Sequence, residues 1–172
     1  MRITIIGPNT SIPPKGWGAV ESLIWDYKIT LEKLGHVVQI INIGDPMRIL
    51  EMIEEFKPDF VHINYDDWVS LYPYIKYPCA VTTHFAYLER PEMMGPYKQR
   101  VFDVFGQIKP IVFGLSDSIN KVYQRDCGIS SDKLYLNPNG VMSDNFRVTK
   151  TPKFSDRSLF LAKVDSRKRQ SH

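Results

Sequence analysis

Short apolar runs alternate along the chain with segments whose apolar residues recur at helical spacing. The runs predict six strands, at 2–7, 36–42, 59–64, 79–84, 110–116 and 133–140. The segments between them predict helices or helical turns, at 20–34, from Asp45 and Pro46 onward, at 67–75, within 92–106 and at 117–126. Such alternation predicts an α/β fold, namely a doubly wound, Rossmann-like parallel sheet with helices on both faces.

The pattern changes after residue 143. The stretch that follows is polar and without periodicity, as is typical of a linker, and the run at 158–164 then predicts one more strand. We therefore expect residues 1–146 to form one Rossmann-like domain. Residues 147–172 are expected to form a linker and the first strand of another domain.

Composition and charge narrow the class of protein. The chain has 172 residues, 43% hydrophobic and 24% charged, which is typical of a soluble globular protein, and its apolar N-terminal run is too short for a signal peptide. Two cysteines in no metal-binding spacing favour a reducing compartment, so we expect a cytoplasmic protein.

Residues 147–172 hold eight of the 22 Lys and Arg but two of the 19 Asp and Glu. Few aromatic residues accompany this basic segment, and nucleic-acid binding is not expected.

Four stretches fall where ligands bind in such folds, outside the carboxyl ends of the strands. They are the glycine-bracketed loop 16–18, His62 with Asn64, the segment 82–84, and the turn "NPNGV" at 137–141. Each has an ordinary structural alternative, since a glycine pair is often a turn and a histidine at a strand end is often a structural hydrogen bonder. The acidic pair at 66–67 is interpreted as the N-cap and dipole partners of a helix.

The order of these motifs resembles the N-terminal half of a family 4 glycosyltransferase with the two-domain GT-B fold. The glycine loop and helix of that family match "GWGAVESLI" at 16–24, and its Leu-Gly-His matches "KLGHVV" at 33–38. Further matches are "KPDFVH" at 57–62, the Thr-Thr-His at 82–84, "LSDSIN" at 115–120 and "NGVMSDNF" at 139–146, where Met142 replaces the usual Asp. The opening of the family's second domain resembles "AKVDSRKR" at 162–169.

The resemblance implies a retaining hexosyltransferase of carbohydrate biosynthesis that uses a nucleotide-sugar donor, without a metal or other cofactor. It implies that His84 contacts the sugar as the catalytic residue. It implies contacts with the donor and its phosphates by Gly16, Trp17, Gly18, Lys163 and Lys168. The remaining residues that it places at the acceptor or along the cleft are Lys15, His62, Asn64, Asn139 and Gly140.

Other functions remain open at this stage. The chain is expected to lack most of the donor-binding domain and to be inactive alone, so a stand-alone or split sugar-binding module is an alternative. A GT-B-like sugar-nucleotide epimerase is another. The expected partners are a nucleotide-sugar and a sugar acceptor, and peripheral membrane contact and a homodimer are left open.

Overall fold

The structure is a computed structural model, and it describes residues 1–16, 18–84 and 96–141. Trp17 and the whole of the predicted segment 147–172, with Lys163 and Lys168, lie outside the described residues. The strands are β1 (Arg2–Ile6), β2 (Val37–Ile41), β3 (Phe60–Ile63), β4 (Cys79–Val81), β5 (Val112–Gly114) and β6 (Leu134–Leu136). The α-helices are α1 (Ala19–Lys33), α2 (Pro46–Phe56), α3 (Asp103–Ile108) and α4 (Asp117–Cys127).

Three further helical segments complete the described chain. A 3-10 helix, Asp66–Tyr74, joins β3 to β4, and a short 3-10 turn, Ser131–Lys133, precedes β6. A π-helical turn, Lys98–Phe102, leads directly into α3. The helix that the sequence predicts within 92–106 is therefore present, and it extends to Ile108.

The six strands form one parallel sheet in the order β2-β1-β3-β4-β5-β6. This confirms the predicted α/β fold with a parallel sheet, as in Rossmann-like proteins. The last three strands are shorter than predicted. β4 ends at Val81, although the N–H of Thr82 still bonds to the Ile63 carbonyl of β3, and the side chains of Thr82 and Thr83 make further hydrogen bonds.

Two apolar clusters lie on opposite faces of the sheet. Alternate residues of β1 belong to different clusters, with Ile5 on one face and Ile6 on the other. Among the described helices, α1 alone packs with the smaller cluster, around Ile24 and Val38. The larger cluster packs between the sheet and α2, the 3-10 helix 66–74, α3 and α4. The described helices therefore flank the sheet on both faces, with α1 on one face and α2, the 3-10 helix 66–74, α3 and α4 on the other.

Local sequence signals set some of the helix boundaries, notably those of α2 and α4. The Asp45 carboxylate accepts hydrogen bonds from the N–H groups of Met47 and Arg48, and Pro46 is the first residue of α2, as predicted. Gly128 follows α4 in the left-handed conformation, with φ of 63°. Leu34, which the helical spacing places on the apolar stripe of α1, is exposed because the helix ends at Lys33.

The interpretation of the acidic pair is wrong for Asp66. Tyr65 precedes the 3-10 helix, and no side chain caps its first turn. Asp66 is 1% exposed, and its Oδ2 accepts a hydrogen bond of 2.6 Å from the Tyr97 hydroxyl. The carboxylate therefore faces the interior and not the helix terminus.

Candidate functional site

The strand order changes direction at β1, whose two neighbours are β2 and β3. The chain leaving β1 turns to α1 on one face, while the chain leaving β2 turns to α2 on the other. Loops that diverge in this way open a crevice outside the carboxyl ends of the strands, which is where doubly wound sheets bind ligands. The candidate site lies at this edge of β1, β3 and β4.

A chain of polar side chains joins the ends of β3 and β4. His62 Nε2 lies 2.8 Å from Thr82 Oγ1, and His84 Nε2 lies 2.9 Å from Asn64 Oδ1. Asn64 Nδ2 lies 3.4 and 3.5 Å from the two ring nitrogens of His62, so it is directed at neither of them. The structure thus brings together His62, Asn64 and His84, three residues that the sequence places at strand ends.

Burial keeps both histidines neutral at physiological pH. It lowers the pKa of His62 to about 3, with a smaller contribution from His84, and lowers the pKa of His84 to about 4. Because Asn64 Oδ1 accepts from His84, the proton of the neutral ring is on Nε2, and Nδ1 is an acceptor. His84 is half-buried, so this arrangement suits contact with a ligand hydroxyl and not with an anion.

A crevice of about 580 Å³ opens outside the carboxyl ends of β1, β2 and β3. It contains residues that follow β1, β2 and β3, and one residue from the π-helical turn. The lining consists of Pro8, Asn9, Thr10, Gly44, Tyr65, Asp67, Trp68, Ser70 and Arg100. Its volume is within the usual range of small-molecule sites, about 300 to 1,000 Å³.

One anion and one cation are the charged residues of the described lining of this crevice. Asp67 pairs with Arg100 at 3.5 Å, so the cation of the described lining is already matched by the anion. Burial, then the charges of Asp67, Asp66 and Glu21, raise the pKa of Tyr65 to about 12. The Tyr65 hydroxyl is therefore neutral at physiological pH and can both donate and accept a hydrogen bond.

A buried hydrogen-bonded layer lies next to the crevice. Tyr97 donates to Asp66, and Tyr123 of α4 donates to Thr83 Oγ1 at 2.5 Å. Burial raises the pKa of Asp66 to about 6, although the hydrogen bond from Tyr97 opposes the rise. The other oxygen of Asp66, Oδ1, has no hydrogen-bond partner in the described structure.

The loop before α1 contains two glycines that lie just before the first turn of the helix. Lys15 and Gly16 are exposed, Gly16 has φ of 141°, and Gly18 is the residue that precedes α1. No side chain caps this helix, and Glu21 Oε1 accepts a hydrogen bond of 2.9 Å from Thr10. The carboxylate of the first helical turn is thereby linked to the rim of the crevice.

The two residues of the turn after β6 that the resemblance places along the cleft are not in the described lining of the crevice. Asn139 and Gly140 are exposed there. Asn137 instead lines a separate cavity of about 260 Å³ on the α1 face, together with Tyr27, His62 and Phe113.

Most of the crevice cannot be predicted from the sequence. The local pattern places Asp67 at a helix start, and Thr10, Tyr65, Ser70 and Arg100 carry no motif. Arg100 belongs to a π-helical turn, a feature that is frequent at functional sites but has no sequence signature. The rule that ligands bind outside the carboxyl ends of strands could have indicated Thr10 and Tyr65. Both follow strands, β1 and β3, that are neighbours where the strand order changes direction.

Within the described ranges, no three His, Cys, Asp or Glu side chains come together as metal ligands would. In the same ranges, no helix is long and apolar enough to cross a membrane. No family model matches the chain, and neither the curated proteins nor the solved structures gave a match.

Proposed function

We propose that this chain is the acceptor-side domain of a retaining glycosyltransferase of the GT-B type, family 4, which uses a nucleotide-sugar donor. The observation that carries the proposal is the polar cluster of two hydrogen-bonded pairs, Thr82 with His62 and Asn64 with His84. It supports the proposal because the residues that resemble family motifs lie on adjacent strands and form one polar cluster at the ligand-binding edge.

The charge state of His84 defines its role in this proposal. The Nε2–H of His84 donates to Asn64, so its Nδ1 can accept a hydrogen bond from a sugar hydroxyl. That bond fixes the position of the sugar ring. Because its pKa is lowered to about 4, His84 does not act as a cationic acid at neutral pH. Positioning, and not proton transfer to the side chain, is its expected contribution.

The proposed transfer replaces one C1–O bond with another. The bond between the sugar C1 and the diphosphate oxygen breaks, and its electron pair leaves with the nucleoside diphosphate. The acceptor oxygen forms the new bond to C1 on the same face, and its proton passes to the departing diphosphate oxygen. The loop with Lys15, Gly16 and Gly18 would line the path of the donor, where backbone N–H groups stabilise the phosphates.

Two substitutions of His84 test this role. Nucleoside diphosphate release and glycoside formation are measured with UDP-, GDP- and ADP-sugars and a panel of saccharides, using the protein at its full encoded length. His84→Gln keeps a donor near the Nε2 position but loses the Nδ1 acceptor, and His84→Asn does the reverse. We expect both to lower kcat/KM by about 10- to 100-fold, as removal of a positioning contact does.

His36→Gln is the matched control, since His36 lies before β2 at the opposite end of the sheet, near the N-terminal amine. It should leave kcat/KM unchanged. Full activity in both His84 variants, or saccharide binding without transfer from any donor, would contradict the transferase and, in the second case, favour the sugar-binding module.

A further inference from the structure

We propose that the crevice lined by Asn9, Thr10, Asp67, Trp68, Ser70 and Arg100 binds the neutral, hydroxyl-rich ring of a saccharide, and excludes phosphorylated or carboxylated sugars. The proposal rests on the proposed function only in naming this saccharide as the acceptor. A sugar-binding module would require the same contacts.

The polar groups of the lining match hydroxyl groups. Asn9 offers a donor and an acceptor, Thr10 and Ser70 offer hydroxyls, and Asp67 offers acceptors, while Arg100 offers donors. Each sugar hydroxyl both donates and accepts, so a mixed set of this kind suits a polyol better than a purely anionic or purely apolar ligand. A site with a few convergent polar groups in a concave, partly apolar lining is also the usual form of a small-molecule site.

An aromatic surface of fixed orientation accompanies these groups. Trp68 lines the crevice, and its Nε1–H donates to the Gly7 carbonyl at 3.1 Å, while the ring packs against the larger apolar cluster. A half-buried indole that is held by both contacts loses little conformational entropy when a ligand binds. The C–H face of a pyranose ring is apolar and suits such a surface.

The charges of the crevice decide against an anion. Arg100 is matched by Asp67, Glu21 is linked to Thr10, and Asp66 lies buried beside the 3-10 helix start. Burial is the largest cause of the raised pKa of Tyr65, and the charges of Asp67, Asp66 and Glu21 raise it further. Because Asp67 already pairs with Arg100, the described lining offers no unpaired cation to a phosphate or a carboxylate, whereas a neutral ring needs none.

Gly44 provides a change that reshapes the crevice at small cost to the fold. A Cβ at this position would lie 2.6 Å from Asn9 Nδ2, closer than atoms can approach. The atom in its way is the free end of an exposed side chain, so Gly44→Ala should push the Asn9 amide aside and leave the backbone intact.

The test measures binding of matched ligands by calorimetry. The neutral probes are methyl glucoside, galactoside and mannoside and their disaccharides, and the anionic probes are the corresponding uronides and 6-phosphates. We expect at least one neutral probe to bind at least 10-fold more tightly than its anionic counterparts at low salt. Gly44→Ala and Asp67→Asn should each weaken that binding by about 10-fold, as loss of a directed polar contact does.

Asp117→Asn is the matched control, because Asp117 is exposed in the first turn of α4 and should not affect the binding. Circular dichroism and thermal unfolding of every variant separate lost contacts from lost fold. No binding of any neutral probe by the folded protein, tighter binding of a phosphorylated or carboxylated probe, or an equal loss in the control would overturn the proposal.

The proposed transferase can fail independently of this site. Neutral saccharide binding that depends on Gly44 and Asp67, combined with full activity of the His84 variants, would remove the transferase role of His84 and leave the saccharide site. Reduced activity of the His84 variants, together with tighter binding of a 6-phosphate, would support the transferase and overturn the neutral saccharide site.

Discussion

His62, His84 and Asp66 lie near one edge of the sheet, and burial drives each of them toward its uncharged form. The pKa values of the two histidines fall to about 3 and about 4, while the pKa of Asp66 rises to about 6. In His84, the neutral form is also the form in which Nδ1 can accept a hydrogen bond. In Asp66, the ionised form prevails at pH 7 in spite of burial, so its charge is retained at a cost to stability.

The cost of the Asp66 charge gives a pH-dependent prediction. Its pKa is raised from 3.8 to about 6 in the folded protein, so the folded state binds more protons than the unfolded state between these values. Stability from this group is therefore present below pH 3.8 and is lost as the pH rises through 6. We expect the stability gain of Asp66→Asn over the wild type to grow by roughly 2 kcal/mol between pH 4 and pH 7.

Urea unfolding at unit intervals from pH 4 to pH 8 measures this difference. The amide of the Asp66→Asn variant can still accept from Tyr97, so the hydrogen bond is not lost with the charge. Other groups that titrate in this range, including the two histidines, contribute equally to both proteins. The exposed substitution Asp117→Asn should show no such growth, and a pH-independent difference for Asp66→Asn would refute the assignment.

At the scale of elements, the sequence predicted best where a signal is local. Asp45 and Pro46 begin α2 as expected, because a carboxylate cap and a proline act through the backbone beside them. Asp66 has the same residue type at a helix start, yet it serves a long-range hydrogen bond to Tyr97. Whether an acidic residue caps a helix or is buried depends on what folds against it, and the local sequence does not contain that information.

The candidate site also contains some residues that the sequence predicts and others that it does not. His62, Asn64 and His84 could be proposed from the rule that ligands meet the carboxyl ends of strands. Arg100 could not, because its place at the crevice depends on a π-helical turn far along the chain from Asp67. Proximity between elements that are distant in sequence is set by packing, and one sequence alone carries no record of it.

The contact between β5 and α4 gives a prediction for these elements. A Cβ at Gly114 would overlap Asn120 Oδ1, an atom that is buried without a hydrogen-bond partner. Gly114→Ala should therefore cost about 1–3 kcal/mol of unfolding free energy, as overpacking does. Asn120→Ala removes both the overlap and the unsatisfied acceptor, so the double variant should recover most of that loss.

Chemical denaturation of the wild type, the two single variants and the double variant completes the cycle. Gly106→Ala is the control, because its Cβ would meet backbone atoms of Cys127 no closer than 3.7 Å, an ordinary contact, and helix propensity favours alanine. Additive losses from Gly114→Ala and Asn120→Ala would show that the two positions do not compete for the same space.

At the scale of the whole described molecule, the sheet is not equally joined along its width. β1 and β2 pair over five residues, whereas β4 and β5 share one pair, Val81 with Val112. Across this narrow boundary, side chains from helices supply further bonds. Tyr123 of α4 donates to Thr83 after β4, and Tyr72 of the 3-10 helix accepts from the N–H of Ile111.

These bonds make Tyr123 a test of how the sheet holds together. Tyr123→Phe keeps the buried ring and its contact with Phe105 but removes the hydrogen bond to Thr83, at a cost of about 1–2 kcal/mol. If that bond closes the β4–β5 boundary, the loss should promote opening of β5, α4 and β6 more than opening of the remaining sheet.

Amide hydrogen exchange at low denaturant resolves the two regions. The N–H groups of Val81 and Asn137 bond to Ile111 and Gly114, and they report the β4–β5 and β5–β6 boundaries. Those of Gly7 and Asn64 bond across β1–β2 and β1–β3. In Tyr123→Phe, the opening free energy of the first pair should fall by about 1 kcal/mol more than that of the second. The exposed Tyr74→Phe variant should change neither pair, and an equal fall at all four amides would mean that the sheet opens only as a whole.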